Sequence, residues 1–463
     1  MELSICLLPK NQTVAKQMLQ VAEQCLESNQ RAQPPENIFV VLAHSRANLA
    51  LTLLQRLADC SLLPKDIKKL VSVVSATING VEDPFGKAQI SYFRTLLKIL
   101  FVTLRGTKHS ANAAPQKTTA EHPAAVTQLV LTILDRVVAR SFRTLAALVH
   151  EPDAATTPED LALITAILQA CLSVPGIEQC QVQVLNIMSS HDILQVATSL
   201  FSWADRLTNK GDPIYGELAL LLLLELSALP ALAEQLACDG LLGHLTSANL
   251  SGFMRRANVS PLSDNAGAAR CYAIWAKGIL PLLLNVLGAL GPTIAPEVAF
   301  VLNQFPNLLQ ASVERLEAPG LNRTTTTTGA ASSSRRGGGG GGDPPHFITL
   351  VAISEIHSLA LLTRVLAAMR VNNSRDIPEV VGWDAGTVLE NVEFWLASRK
   401  VLRERLLPLG AREMEWRGLR PTTTTAGGEG VGGGGGCENR LEEKAVGLLE
   451  GVRDVLAAGE EGE

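Results

Sequence analysis

The chain has 463 residues, a formal net charge of −5, 47% hydrophobic residues and 18% charged residues. That length exceeds what one hydrophobic core holds, and so apolar a composition excludes a chain disordered throughout. The mild negative charge offers no concentrated basic face, which argues against a nucleic-acid backbone as partner.

Asn11 to Asn29 reads as an amphipathic helix, with Val14, Met18, Val21, Ala22 and Cys25 on one face at spacings of three and four. Pro34-Pro35 ends the gap that follows. Ile38 to Cys60 is a long apolar-periodic segment, with a kink expected near Asn48. Pro64 to Ile78 is the next helix, closed by Asn79-Gly80. Asp83-Pro84 is expected to open another, carrying Ile90, Phe93, Leu96, Leu97, Leu100 and Phe101. A polar loop is expected from Gly106 to Glu121. Pro123 to His150 has the cleanest helical period, through Val126, Leu129, Val130, Ile133, Leu134, Val137 and Val138. Thr157-Pro158-Glu159-Asp160 is a capped start with acid in its first turn. That helix runs to Val174 and stops at Pro175-Gly176, and shorter helices follow over Ile177 to Met188 and Asp192 to Leu207.

The stretch Asp212 to Leu245 shows the plan most fully. Asp212 reads as a capping carboxylate and Pro213 as the first helical residue. The helix behind them is apolar almost all round, with a narrow stripe of Glu217, Glu225 and Ala228 fit for water, so other helices must cover it. Its unbroken apolar run, Leu218 to Leu224, is far short of the roughly 20 residues a bilayer needs. Pro230 forces a corner, and Gly240 is placed to end the next short helix in a left-handed conformation. Long helix, corner, short helix, glycine, next helix is the layout of one unit in a stacked helical-repeat protein.

Gly267 to Leu290 and Pro296 to Leu316 are again strongly apolar, broken by Pro281, Pro292 and Pro306. Pattern resumes from Phe347 to Val371, and Trp383 to Trp416 supplies one or two more helices. No strand-type alternation persists. The reading is all-α, an α-solenoid of degenerate HEAT/armadillo-like repeats. It places a solenoid over 1–320 and a disordered Thr/Ser/Gly-rich insertion over 321–345. The solenoid continues over 346–420, with a disordered Gly-rich linker at 421–436 and a marginal terminal helix and tail at 437–463.

The eight cysteines, Cys6, Cys25, Cys60, Cys171, Cys180, Cys238, Cys271 and Cys437, form no Cys-x-x-Cys pair. Most sit on apolar helical faces, which fits a reducing compartment. The start, Met1 to Pro9, lacks a basic region and a cleavage site. It opens into helical pattern, as expected of a piece from a longer chain.

Motifs that carry chemistry are weak. Gly80-Val-Glu-Asp-Pro-Phe-Gly86-Lys87 imitates a phosphate loop, but its first glycine is misplaced and Ala88 stands where Ser or Thr must hold magnesium. A helix-connecting turn explains it. The histidines His44, His109, His122, His150, His191, His244, His346 and His357 include several beside acids in sequence. Neighbours one or two apart on a helix do not face each other, so caps and loop ends account for them. Glu390 and Glu393 share a helix face, and a solvated face is the simpler reading beside a catalytic pair. Arg399, Lys400, Arg403, Arg405, Arg412, Arg417 and Arg420 form a basic cluster interrupted by Glu404, Glu413 and Glu415. A mixed solvated face is set against contact with an acidic partner. No catalytic, cofactor-binding or metal-binding residue is identified, and neither enzyme activity nor a cofactor is expected.

Leu7-Leu-Pro-Lys-Asn-Gln-Thr-Val-Ala-Lys-Gln-Met18 and Gly382-Trp-Asp-Ala-Gly-Thr-Val-Leu-Glu-Asn-Val-Glu-Phe-Trp395 carry a family resemblance. The chain resembles the C-terminal part of the large scaffold nucleoporins of the nuclear pore's inner ring, closest to their one-eighty-eight-kilodalton branch in a fungal version. The resemblance implies an α-solenoid with a structural role at the nuclear pore complex, in the nuclear envelope. It also implies support of nucleocytoplasmic transport, and binding to other nucleoporins, the inner-ring linkers among them. Phe-Gly repeats and transport receptors are further implied partners; no transmembrane segment is expected. The family supplies no short motif, so no site residue carries over. Two alternatives stay open: a soluble karyopherin-like nuclear transport receptor, and an enzyme assembled from distant repeats.

Overall fold

The computed structural model describes residues 12–31, 37–57, 64–111, 121–207, 211–256, 259–319, 347–372, 376–418 and 440–460. The expected insertions at 321–345 and 421–436 lie outside these. Two compact units divide the chain between His244 and Leu245. The fold is all-α, of the solenoid class. Among the described residues no strand forms; one isolated bridge joins Ile348 to Leu406.

The first unit begins with α1 (Gln12–Arg31), α2 (Asn37–Leu57), α3 (Pro64–Asn79) and α4 (Ile90–Ala111). α1 buries Met18, Leu19, Ala22 and Leu26 at helical spacing. It lies on α2 and α3, and these in turn lie on α4. α2 is continuous through Asn48, where a kink was expected. Thr95 Oγ1 of α4 donates to Asn48 Oδ1 at 3.2 Å, so that side chain bonds to a neighbouring helix. The start expected at Asp83-Pro84 is a series of turns. Gly86 N–H donates to Asp83 O and Ile90 N–H to Gly86 O, and Phe85 is buried edge-on against Phe93, 5.3 Å away. Nor does α4 stop at Gly106. One glycine costs about 1 kcal/mol in a helix interior, which does not end a helix whose preceding turns are already docked.

α5 (Glu121–Ile133) and α6 (Arg140–Leu148) are joined by a π-turn, Leu134–Ala139. The extra residue of the π-turn lets Leu134, Val137, Val138 and Ala139 all point inward. α7 (Pro158–Leu172) opens with the capping box expected at Thr157 and Asp160. It is followed by a 3-10 turn (Ile177–Cys180), α8 (Gln181–Ser190), α9 (Ile193–Ser202), α10 (Ile214–Ser227) and α11 (Pro230–Cys238), and then by α12 (Leu241–Ser247), within which the division falls. Contacts run to near neighbours: α4 on α7, α7 and α9 on α10, α8 on α11. That is how a solenoid buries surface without a common centre.

α10 buries Leu218, Ala219, Leu220, Leu222, Leu223 and Leu226, while Glu217 and Glu225 are half-buried and Ala228 is exposed. The wet stripe is where it was expected. The start is not: Pro213 is the cap, outside the helix at φ −80° and ψ 52°, and no side-chain cap bond forms there. Proline needs no N–H partner on either side of that boundary. Gly240 does adopt the left-handed conformation, φ 77°, just after α11.

The second unit holds α13 (Asn249–Met254) and α14 (Ala266–Ala273), a π-turn (Ile274–Ile279), then α15 (Leu280–Leu290), α16 (Ala295–Asn303), α17 (Pro306–Arg315) and α18 (Leu350–Asn372). α19 (Ala385–Ala397), α20 (Arg399–Arg405) and α21 (Ala411–Trp416) make three helices where one or two were expected. α22 (Arg440–Glu460) follows. α18 is the hub, packed on α15, α17 and α22. α22 buries Leu441, Ala445, Val446, Leu449 and Val452 against α18 and α19. The segment 266–293 and α18 are long and apolar enough to cross a membrane; here both are core helices of this unit.

Candidate interaction surfaces and buried polar anchors

Among the described residues the most buried charge is Glu355 on α18, fully enclosed. Three donors converge on it. Tyr272 Oη donates to Oε2 at 2.6 Å, Trp275 Nε1 to Oε1 at 2.8 Å, and Arg315 Nη1 to Oε2 at 2.8 Å. Tyr272 lies on α14, Trp275 on the π-turn and Arg315 at the end of α17, so one carboxylate ties α18 to all three. The guanidinium also lies 4.7 Å from the Tyr272 ring centroid and donates to Val259 O. Burial lifts the Glu355 carboxyl above its ordinary value, against the pull of Arg315, Tyr272 and Trp275. Burial, followed by the charge of Glu355, pushes Tyr272 well up. Every carboxylate oxygen is occupied by a helix-linking bond, which suits an anchor.

Arg94 and Asp160 do the same in the first unit. Nε and Nη2 of Arg94 meet the two oxygens of Asp160 at 2.6 and 2.7 Å, and Nη2 also reaches Ala155 O. Asp160 in addition accepts from Thr157 N–H at 2.8 Å. The carboxylate closing the helix cap is thus the one that docks α4 on α7. The sequence shows the cap but not its tertiary partner.

Among the described residues, histidines and acids adjacent in sequence do not pair. The pair that forms is distant: His191 Nε2 lies 2.8 Å from Asp135 Oδ1, the acid sitting on the first unit's π-turn. His44 Nε2 is 3.3 Å from Thr95 Oγ1. His150 and His244 are exposed, and so are Glu390 and Glu393. His109, His122 and His346 lie outside the described side chains. Burial pushes the Cys171 thiol up, which keeps it unreactive. Among the described residues, no group of three His, Cys, Asp or Glu side chains could hold a metal ion.

The basic cluster is partly consumed inside the protein. Arg403 Nε contacts Glu442 Oε2 at 2.5 Å and Arg399 Nη2 contacts Glu450 Oε1 at 3.4 Å, both acids on α22. Arg412 and Lys444 lie at 4.9 and 4.5 Å from the Trp416 ring centroid. The mixed solvated face expected there is therefore also the seat of α22. Arg420 lies outside the described residues.

Exposed apolar groups remain on both units. Trp203 is 49% exposed with Arg206 over its ring, Phe253 is 43% exposed with Arg256 over its ring, and Phe300 is 56% exposed. Stacked helices with anchored interiors and apolar outer positions define a class, the α-solenoids that offer long surfaces to other proteins.

Residues 70–456 match the family described as Nuclear pore protein NUP188 C-terminal domain. The curated Nucleoporin NUP188 of Chaetomium thermophilum is 64% identical over 100% of this chain. Nucleoporin nup184 of Schizosaccharomyces pombe is 34% identical over 26% of it. The chain spans about a quarter of the first relative and under a tenth of the second, the matches covering 25% and 8% of those proteins. A solved structure, Nup188(aa1445-1827) from Myceliophthora thermophila, shares 74% identity at a TM-score of 0.70. The match covers 85% of this chain and 99% of that one. The chain belongs to the NUP188 C-terminal domain family of nuclear pore proteins, which places it at the nuclear pore complex in the nuclear envelope.

Proposed function

We propose that this chain is a non-enzymatic scaffold element of the pore's inner ring, one that binds other nucleoporins through its helical surfaces and so supports nucleocytoplasmic transport. The observation that carries the reading is the use made of the buried polar groups. Glu355, Arg315, Asp160 and Arg94 spend their bonds joining helices. Outward the units carry exposed aromatic residues with cations over their rings, Trp203 with Arg206 and Phe253 with Arg256. Inner-ring linker nucleoporins are the first partners expected. Phe-Gly repeats and transport receptors are the second, since a phenylalanine fits between helix ridges.

Affinity capture from a fungal nuclear-envelope extract, with this chain as bait, tests the proposal. Recovery of inner-ring nucleoporins supports it. Recovery only of metabolic enzymes, or of DNA, refutes it. Adding GTP-loaded Ran separates scaffold from receptor: a scaffold keeps its partners, whereas a karyopherin-like receptor releases them.

A further inference from the structure

A groove of about 310 Å³ runs along the second unit, between the C-terminal half of α18, residues 378–389 and the end of α22. Arg364, Leu366, Arg370, Trp383, Leu389 and Leu456 line it. One wall is held firmly. Asn303 of α16 donates through Nδ2 to Glu379 O at 2.8 Å and accepts from Val381 N–H at 2.9 Å. Gly382 turns the chain beside it at φ 91°, a conformation that L side chains rarely adopt. A wall fixed in this way needs little ordering when something binds.

Two features of the groove lack an internal explanation. The indole of Trp383 is 8% exposed, and its buried Nε1–H has no hydrogen-bond partner among the described residues. A buried donor left so carries the full cost of its desolvation, and such groups in native folds call for a reason. The charges are also unbalanced. Arg364 spends one bond on Ala458 O, and Arg370 is only loosely matched, 3.7 Å from a Glu379 that is 76% exposed. Val371 and Val381, next in sequence to the lining residues Arg370 and Val380, are 84% and 67% exposed.

We propose that this groove receives an extended, acidic segment of a partner protein, its carboxylate seated between Arg370 and Arg364 and accepting the Trp383 indole N–H, with aliphatic neighbours against Val371 and Val381. Trp383 lines the groove and its indole N–H is the unpartnered donor there. Charge argues for the occupant: among the described lining residues two guanidiniums stand with one carboxylate, and the unsatisfied group is a donor. The inference rests on the scaffold reading for its biological setting, but it has its own test.

The probe is a labelled Val-Glu-Val-Glu-Val peptide, compared by fluorescence anisotropy with its Val-Gln-Val-Gln-Val twin on the full chain. The acidic peptide is expected to bind about tenfold tighter or more, as charge-assisted bonds to guanidinium allow, and to weaken as salt rises. Arg370→Ala, at a half-exposed position that leaves the fold intact, is expected to remove most of that preference. Trp383→Phe, which keeps an aromatic ring without the N–H, is expected to weaken binding several-fold. Equal binding of the two peptides overturns the proposal. So does no binding of either, or an affinity indifferent to Arg370→Ala. Any of these results beside successful capture of nucleoporins would remove the groove and leave the scaffold standing.

Discussion

Glu355→Leu is the most informative single change in the second unit. The substitution is close in volume and leaves an apolar side chain in an apolar interior. What it leaves behind decides the outcome. Arg315, with its side chain 16% exposed, loses the partner of its charge, and Tyr272 and Trp275 lose their acceptor. Removing one member of a buried ion pair costs about 3–5 kcal/mol, a large part of a domain's stability. Arg315→Met alone strands the carboxylate and is expected to cost about 3 kcal/mol on the same grounds. The double variant removes both charges and is expected to be milder than the sum by about 2–3 kcal/mol. Urea unfolding followed by tryptophan fluorescence reads this directly. Trp275, Trp383, Trp395 and Trp416 lie in the second unit and only Trp203 in the first. A cost below about 1 kcal/mol for Glu355→Leu, or strict additivity of the two changes, refutes the anchor reasoning.

Asp160→Ala removes a helix cap and the carboxylate that docks Arg94; a loss of about 2–4 kcal/mol is expected, visible as faster amide exchange at the start of α7 and along the facing part of α4. Two glycines of α22 separate propensity from packing. A Cβ at Gly447 meets nothing within 4 Å, so Gly447→Ala is expected to raise stability by about 0.5–1 kcal/mol. At Gly451 a Cβ would lie 2.9 Å from His357 Nε2, so Gly451→Ala should lose that gain or reverse it in the same melt. Burial holds the His357 imidazole below its ordinary value, so the unfolded chain binds a proton more readily than the folded one. The stability tied to this group is whole above the unfolded value of about 6.5 and falls as pH drops below it. Unfolding midpoints at pH 7.5 and 5.5 should converge more in His357→Gln than in the parent chain; identical pH slopes would refute this.

Much of the fold is legible because a solenoid writes its packing into local pattern. Thr157 with Asp160 announces a cap, Gly240 a left-handed stop, and Glu217 with Glu225 the wet side of a greasy helix. Element starts beside proline are less legible, since Pro213 is acceptable just inside or just outside a helix. The π-turns at Leu134–Ala139 and Ile274–Ile279 are hidden for a different reason. One extra residue per turn leaves the apolar period looking helical. The anchors are the least legible of all. Arg94 with Asp160, His191 with Asp135, and Glu355 with Tyr272, Trp275 and Arg315 join residues from about 40 to 80 positions apart, and no short motif encodes such a meeting. Glu355 carries one faint signal, a lone acid in a largely apolar helix.

Charges inside the core helices also bear on how such helices fare beside a lipid bilayer. Segment 266–293 and α18 meet the length and apolarity of a membrane anchor. Lys277 lies near the middle of the first, and Glu355 and Arg364 lie within the second. A lysine or arginine near the centre of a would-be span adds about 2.5–3.5 kcal/mol against insertion. Before any neighbour covers these segments, that penalty opposes their insertion into a bilayer.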